Sequence, residues 1–312
     1  MRMTIMFTRH ARNRAGNCSR TFFAVLCLLA ASSLASAQEE AVRRPDRVVP
    51  TKPFQIIGNV YYVGQTNNAI PGSDDASFLI TTRDGHILLD TSEEEMLPQL
   101  RANIEKLGFK LADIKYLIHS HSHSDHVAGD ADFKKMVPGL KLVASALDAE
   151  VIESGGKADF DTSRAQFKPA KVDRIIKDGE KLELGGVSMV ARVTAGHTKG
   201  CTTWTTVVED AGRKLNAVFV CSARISEGMN LVNNPRYPAI AADFRKTFAT
   251  LKELPVDVFF ASHAFFFNMV GKAKMLESKP KQNPFIDPQG FKDFVTLNEK
   301  NFLTEYQKQG GK

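Results

Sequence analysis

The sequence predicts an α/β protein folded as an αβ/βα sandwich, in which two mixed β-sheets pack together and helices cover the outer faces. Two observations predict this fold class. Each half of the chain repeats one plan, strands followed by helix, and the residues best suited to chemistry follow strands in both halves. Packing the two sheets would bring those loops to one shared edge. No repeat or long linker interrupts residues 38–312, which we interpret as one domain.

The composition is that of an ordinary globular protein. Of 312 residues, 43% are hydrophobic and 24% are charged, which excludes a disordered or fibrous chain. The length is sufficient to bury one large core.

The first 37 residues are predicted to form a secretory signal peptide that is cleaved. Five arginines precede an apolar run over 22–34, and Ala35-Ser36-Ala37 provides a small-residue cleavage site. Because the run is too short to span a membrane, we expect periplasmic export without stable membrane anchoring.

Subtracting the five arginines of this segment from 41 basic residues leaves 36 basic against 35 acidic residues. With no basic stripe remaining, nucleic acid is not an expected partner.

In the first half of the domain, β-branched and aromatic runs between Gly, Asn and Asp turns predict strands. Apolar residues at helical spacing predict helices. In the first helix, Ser92 and Glu95 fit a capping box and Gly108 fits the C-terminal cap. The predicted elements are strands at 55–63, 77–81 and 86–90, a helix between 92 and 108, a strand at 114–118, a helix from 130, a strand at 140–143 and a helix at 146–153.

A predicted loop over 154–170 separates this half from the second, where strands again precede helix. The predicted elements are strands at 171–176, 187–193, 202–208 and 215–220, a helix at 241–253, a strand at 256–261 and a terminal helix at 288–307.

The segment His121-Ser122-His123-Ser124-Asp125-His126 follows a predicted strand and holds three histidines and an aspartate. Neighbouring side chains in such a loop point in different directions, so they can serve two adjacent metal ions. His197 and His263 also follow predicted strands, and each completes a ligand set, although a lone histidine is more often a buried structural group. Six ligands suffice for two zinc ions with three ligands each and open positions for water, which is typical of catalytic sites.

Four segments closely resemble the metallo-β-lactamases, specifically the di-zinc subclass B3. They are HSHSDH at 121–126, GHTKGCTTW at 196–204, NPRYP at 234–238 and SHAFF at 262–266. The resemblance runs from about Pro53 to the C-terminus. It implies the metallo-β-lactamase fold and two Zn²⁺ per chain. The implied ligands are His121, His123 and His197 for the first zinc, and Asp125, His126 and His263 for the second.

The resemblance also implies a function. A zinc-bound hydroxide, oriented by Asp125 as a catalytic residue, would hydrolyse the β-lactam amide of penicillins, cephalosporins and carbapenems and so confer antibiotic resistance. The expected partner is this small-molecule substrate, and the chain is expected to be a monomer. Asp90 matches a superfamily position that supports a ligand histidine from behind, although a turn-forming Asp explains it equally well. His119 has no ligand role in the family, and we expect it to be a buried, hydrogen-bonded group.

The segment at 220–224 distinguishes the subfamilies of the superfamily from one another. Lactonases and glyoxalase-type hydrolases carry a bridging aspartate at this strand end, whereas this chain has Cys221 and Ser222, which makes a lactone or thioester hydrolase the less favoured alternative. Another β-lactamase subclass uses a cysteine ligand there, but His126 already fills the second site. Aligned on subclass B3, Ser222 receives the substrate carboxylate. Arg224 either clamps that carboxylate or points to solvent.

Three further expectations concern the cysteines, the phenylalanines after His263 and one loop. Cys201 and Cys221 remain after signal cleavage in an oxidising compartment, and we predict a disulfide between them that stabilises the fold by about 2–4 kcal/mol, with two reduced buried thiols as the alternative. Phe265, Phe266 and Phe267 either form an apolar wall of the substrate cleft or pack in the core. The loop at 65–72 is expected to cover the cleft.

Overall fold

The computed structural model describes residues 51–64 and 75–312 in full, and the backbone of two short paired strands, β1 (Val48–Val49) and β4 (Thr66–Asn67). The predicted signal peptide at 1–37 lies outside the described residues. So does the predicted covering loop at 65–72, apart from the backbone of β4.

Within the described residues, seven strands form the first sheet in the order β2-β3-β5-β6-β7-β8-β9. The pairs up to β6 are antiparallel, and the pairs from β6 to β9 are parallel. The strands are β2 (Phe54–Ile57), β3 (Val60–Tyr62), β5 (Phe78–Thr82), β6 (Gly85–Leu89), β7 (Ile114–Ile118), β8 (Lys141–Ser145) and β9 (Arg174–Ile176).

The second sheet of the described chain has five strands in sequential order. They pair antiparallel except for the last two, which are parallel with Val220 opposite Ala261. The strands are β10 (Lys181–Leu184), β11 (Val187–Val193), β12 (Thr202–Asp210), β13 (Arg213–Val220) and β14 (Val258–Ala261).

Seven α-helices occur in the part of the chain that the structure describes. None of these helices is both long and apolar enough to cross a membrane. They are α1 (Leu97–Lys106), α2 (Ser124–Val127), α3 (Asp130–Met136), α4 (Ala146–Glu153), α5 (Ile240–Glu253), α6 (Met269–Glu277) and α7 (Pro288–Lys308).

The first sheet is buried on both faces, and alternate residues of its strands enter different cores. In β5, Phe78 and Ile80 face the core that holds residues of both sheets, whereas Leu79 faces the core with α1 and α3. In the shared core, the ring centroid of Phe78 lies 5.1 Å from that of Phe219 and 5.3 Å from that of Phe260. The predicted αβ/βα sandwich is confirmed, because two mixed sheets share one core and helices cover them outside.

Two local predictions need correction. The predicted strand at 55–63 is a hairpin of β2 and β3, because Gly58 adopts φ of +52° and turns the chain. The predicted capping box is wrong. Ser92 has φ of +65°, whereas an N-cap residue is normally extended, and α1 begins at Leu97 after a 3₁₀ turn (Glu94–Met96). Sequence analysis also missed α6. Gly108 does end α1, with φ of +88°.

The predicted disulfide is present. It joins Cys201, directly before β12, to Cys221, directly after β13, and their Cα atoms lie 5.8 Å apart. Both cysteines are fully buried.

Candidate metal centre

The first group of candidate ligands combines three histidines from two loops. His121 and His123 follow β7, and His197 lies between β11 and β12. One ligand nitrogen from each lies within 4.8 Å of the others, and all three side chains are buried. The backbone N–H of Thr202 donates to the carbonyl of Ser120 at 2.8 Å. This bond ties the two loops together.

The second group adjoins the first. Asp125 and His126 lie in α2, and His263 follows β14. Ligand atoms of these residues and of Asp75 lie within 4.8 Å of one another. The ring centroid of His126 is 4.1 Å from that of His121. The six predicted ligands therefore lie in two adjoining groups, three in each, and zinc binding by them stays a prediction.

The glycines around His197 allow the tight packing of its loop. Gly196 has φ of +136°, and a Cβ there would lie 2.8 Å from the ring of Phe244. A Cβ on Gly200 would collide with Ser145 and Asp148. Both positions therefore favour glycine.

Three histidines have one ring nitrogen hydrogen-bonded to a group behind them, which fixes the ring and turns the other nitrogen toward the centre. The contacts are His121 Nδ1 to Ser120 Oγ at 3.1 Å, His126 Nδ1 to Asp90 Oδ2 at 3.0 Å and His197 Nδ1 to the Arg224 carbonyl at 2.8 Å. His263 Nδ1 lies 3.3 Å from Asp75 Oδ1, and neither atom has a hydrogen-bond partner in the described part of the chain.

The donor set fits zinc. The Nε2 atoms of His121 and His126 are buried without a hydrogen-bond partner in the described part of the chain. Burial, reinforced by neighbouring imidazoles, holds the pKa of His121 and of His123 well below the usual range, and burial lowers the pKa of His197 to about 3. The neutral imidazoles of His121, His123 and His197 are ligands that zinc accepts. Burial would lower the pKa of His126, but the Asp125 and Asp90 carboxylates raise it well above the usual range, so zinc binding at His126 would displace a proton.

Asp90 supports the second group from behind. Its Oδ1 accepts from the Ser120 backbone N–H at 2.8 Å, and its Oδ2 accepts from Ser120 Oγ at 2.6 Å and lies 3.0 Å from His126 Nδ1. Burial would raise the pKa of Asp90, but the His126 and His119 imidazoles lower it to about 2. An ionised carboxylate therefore orients His126, the arrangement that the superfamily position implies.

Asp148 supports the first group, and sequence analysis missed it. This buried carboxylate on α4 accepts from Ser122 Oγ at 2.9 Å, the Gly200 N–H at 3.1 Å and Thr198 Oγ1 at 3.3 Å. Ser122 separates two ligand histidines, and Thr198 follows a third. Asp148 thus fixes the positions of the two loops of the first group relative to each other.

Asp148 makes a pH-dependent contribution to stability. Burial raises its pKa from 3.8 to about 6, so the folded state binds more protons than the unfolded state between these values. Stability from this group therefore falls as pH rises through that window. Between about pH 4 and pH 7, we expect the wild-type free energy of unfolding to fall by about 2 kcal/mol relative to Asp148→Asn. Denaturant unfolding at several pH values measures this difference, and a constant difference would contradict it.

A cleft of about 480 Å³ opens onto both groups. Its lining includes His123, Asp125, His197 and His263 from the ligand groups. The predicted substrate contacts Ser222 and Arg224 also line it. Ser222 is buried, whereas Arg224 is exposed and has no ion pair among the described residues. Both residues therefore lie in the cleft beside the ligand groups, and their contact with a substrate stays a prediction.

The aromatic wall is smaller than predicted. Phe265 and Phe266 line the cleft, but Phe267 is buried with its ring centroid 5.9 Å from that of Phe260. The short 3₁₀ helix Ala264–Phe267 turns this third ring into the core.

The predicted loop at 154–170 contributes residues that sequence analysis missed. Asp161, Ser163 and Arg164 line the cleft. The Arg164 guanidinium donates to Asp161 Oδ2 at 3.0 Å and to Ser226 Oγ at 2.5 Å. Arg164, held by these two contacts, is therefore a second arginine in the cleft lining besides Arg224. Nothing in the spacing of this loop signals that role.

Residues 73–263 match the family profile described as the metallo-beta-lactamase superfamily. The chain belongs to this superfamily. The solved structure of native FEZ-1 metallo-β-lactamase from Legionella gormanii is 41% identical, with a TM-score of 0.79 over 84% of this chain and 98% of that chain. BJP-1 of Bradyrhizobium japonicum, a subclass B3 metallo-β-lactamase, is 34% identical, with a TM-score of 0.76 over 85% of this chain and 97% of that chain.

A curated relative carries a different activity in its name. The mitochondrial persulfide dioxygenase ETHE1 of Homo sapiens is 29% identical over 110 residues, which is 35% of this chain and 34% of that protein. The chain therefore spans about a third of this relative's length, whereas it spans almost all of the two β-lactamases.

Proposed function

We propose that this protein is a zinc-dependent β-lactamase that hydrolyses penicillins, cephalosporins and carbapenems. The observation that carries the proposal is the pair of adjoining ligand groups, three histidines beside Asp125, His126 and His263, on the floor of an open cleft. Structures with the same fold over nearly their whole length, at 41% and 34% identity, are β-lactamases by name.

The ligand groups would hold two zinc ions, which when bound supply Lewis-acid polarisation of a carbonyl and a water of lowered pKa. The side chain of Asp125 is 30% exposed, so it faces both the cleft and the second group. Burial would raise its pKa, but His126 and His263 hold it well below the usual range. Its ionised carboxylate can accept a hydrogen bond from water and so orient the attacking oxygen.

The remaining cleft lining holds two arginines and two acids, Asp161 and Glu227, of which Asp161 pairs with Arg164. β-Lactams carry a carboxylate beside the ring, and the guanidinium groups of Arg224 and Arg164 are suited to bind it, with the Ser222 hydroxyl as a further partner. Phe265 and Phe266 offer an apolar surface to substituents.

Removal of either cleft arginine should weaken substrate binding more than turnover. For Arg224→Ala and for Arg164→Ala we expect KM to rise roughly 10-fold, because a charge-assisted hydrogen bond to the substrate is lost. Arg213→Ala, at an exposed hairpin tip, is the matched control and should leave KM unchanged. Steady-state kinetics with the purified variants measure both constants. Unchanged KM in both cleft variants would contradict this role.

The alternative is a lactone or thioester hydrolase of the same superfamily. Such relatives carry a bridging aspartate at the strand end after β13, where this chain has Cys221 in a disulfide and Ser222. Among the described residues, the ligand groups hold only two carboxylates, Asp75 and Asp125. This donor set favours the β-lactamase proposal.

The decisive experiment is hydrolysis of a carbapenem by the purified protein without its first 37 residues. We expect loss of ring absorbance, abolition by a chelator and recovery on addition of zinc. A zinc-loaded protein that hydrolyses a lactone or thioester but no β-lactam would replace the proposal with the alternative.

A further inference from the structure

His119 and Asp130 form a buried pair next to the second ligand group, and the proposed mechanism does not use them. His119 follows β7 and is 3% exposed, and Asp130, the first residue of α3, is fully buried. His119 Nε2 lies 2.8 Å from Asp130 Oδ2. Buried ionisable groups are costly unless paired, so a pair at this position calls for an explanation.

His119 also contacts the carboxylate that supports the second group. Its Nδ1 lies 3.3 Å from Asp90 Oδ1, while Asp90 Oδ2 lies 3.0 Å from His126 Nδ1. A continuous buried chain of contacts therefore runs from Asp130 through His119 and Asp90 to His126. Each ring nitrogen of His119 faces a carboxylate, so this one side chain bridges Asp130 and Asp90.

Asp130 holds the same region by a second route. Its Oδ1 accepts from Thr91 Oγ1 at 2.8 Å, and the Thr91 N–H donates to the His126 carbonyl at 3.0 Å. Thr91 lies between two residues with left-handed backbone, Asp90 at φ of +62° and Ser92 at φ of +65°. Non-glycine residues persist in that region only when their surroundings hold them. This turn aims the Asp90 carboxylate at His126.

The pair is further fixed to the second sheet. The indole N–H of Trp204 donates to the His119 carbonyl at 2.8 Å, and Trp204 is buried. His119 therefore has a fixed backbone carbonyl, and its ring lies between the Asp130 and Asp90 carboxylates.

We propose that His119 and Asp130 are positioning residues for the second ligand group, acting through Asp90 on His126. The pair sets the position of Asp90, and Asp90 sets the ring orientation of His126. The first group should be less sensitive to the pair. Asp90 reaches only His121 of that group, and only through the Ser120 hydroxyl, whereas Asp148 holds the loops of all three first-group ligands separately. The proposal rests on the proposed zinc centre but not on the identity of the substrate.

Zinc binding in the absence of any β-lactam tests this proposal. The metal-free protein is titrated with zinc against a chromophoric chelator, and His263→Ala identifies which of the two affinities belongs to the second group. For His119→Gln we expect the second-group affinity to fall about 10- to 100-fold, as is usual when a group behind a ligand is removed, and the first-group affinity to change less than about 3-fold. His86→Gln is the matched control, because His86 packs on Phe109 away from the ligands.

A double-mutant cycle separates positioning from general stability. In an Asp90→Asn background, His119→Gln should reduce second-group affinity by less than about 3-fold further, because both act along one chain of contacts. Asp130→Asn repeats the test if His119→Gln does not fold. Unchanged affinity, equal loss at both groups, additive effects or failure of both variants to fold would overturn the proposal. A wild-type protein that binds no zinc would overturn the zinc centre as well, whereas zinc binding without β-lactam hydrolysis would overturn only the proposed function.

Discussion

Asp125→Asn should reduce turnover by roughly 10²- to 10⁴-fold, the range that removal of a positioned acid–base group produces. Asp125 Oδ2 lies 3.4 Å from His126 Nε2 and 3.7 Å from His263 Nε2, so its carboxylate belongs to the second ligand group and also faces the cleft. An amide loses the negative charge that both roles require. Single-turnover and steady-state kinetics with a β-lactam that the wild-type protein hydrolyses measure the loss. The zinc content is determined on the same sample.

Asp161→Asn is the matched control for this variant. Asp161 lines the same cleft but pairs with Arg164 and belongs to neither ligand group. Its kcat should remain within a few-fold of wild type. If Asp125→Asn retains turnover within tenfold of wild type, Asp125 is not the residue that orients the attacking water.

Phe260→Ala should destabilise the fold by about 3–5 kcal/mol, the usual cost of removing a buried aromatic side chain. Phe260 lies in β14, is fully buried, and its ring centroid is 4.8 Å from that of Phe219 and 5.3 Å from that of Phe78. The substitution leaves a cavity where the two sheets share their core. Denaturant unfolding of the variant and the wild type measures the difference.

Phe265→Ala provides the same chemical change at an exposed site. Phe265 is 40% exposed and lines the cleft, so we expect a loss below about 1 kcal/mol. Equal losses in the two variants would show that Phe260 does not lie at the centre of a close-packed core.

Local sequence signals account for the parts of the site that one segment encodes. The HSHSDH segment places ligands at the end of one strand, and the glycines around His197 mark a tight turn, so these residues are visible without a structure. Asp148 and Arg164 are not, because their roles depend on loops brought together across 52 and 62 residues of sequence. Asp75 lies shortly before β5, and its contact with His263 joins residues that are far apart in sequence. Local sequence signals therefore do not reveal it.

The fold, like the site, could be predicted in part from local sequence signals. Apolar and β-branched runs between turn residues predict β5 and β6, and the two sheets follow from the order of elements. The predicted start of a helix is wrong where backbone torsion angles decide it. Ser92 has the composition of a helix cap, yet the turn that aims Asp90 at His126 places Ser92 in the left-handed region, so that α1 starts five residues later.

The Cys201–Cys221 disulfide connects the redox state of the surroundings to the geometry of the candidate site. Cys201 directly follows the loop of His197, and Cys221 directly precedes Ser222, so one covalent bond fixes the loop of a candidate ligand to a strand end that lines the cleft. Reduction of this buried bond would release that restraint. A reducing environment should therefore loosen the candidate site as well as lower the stability of the fold.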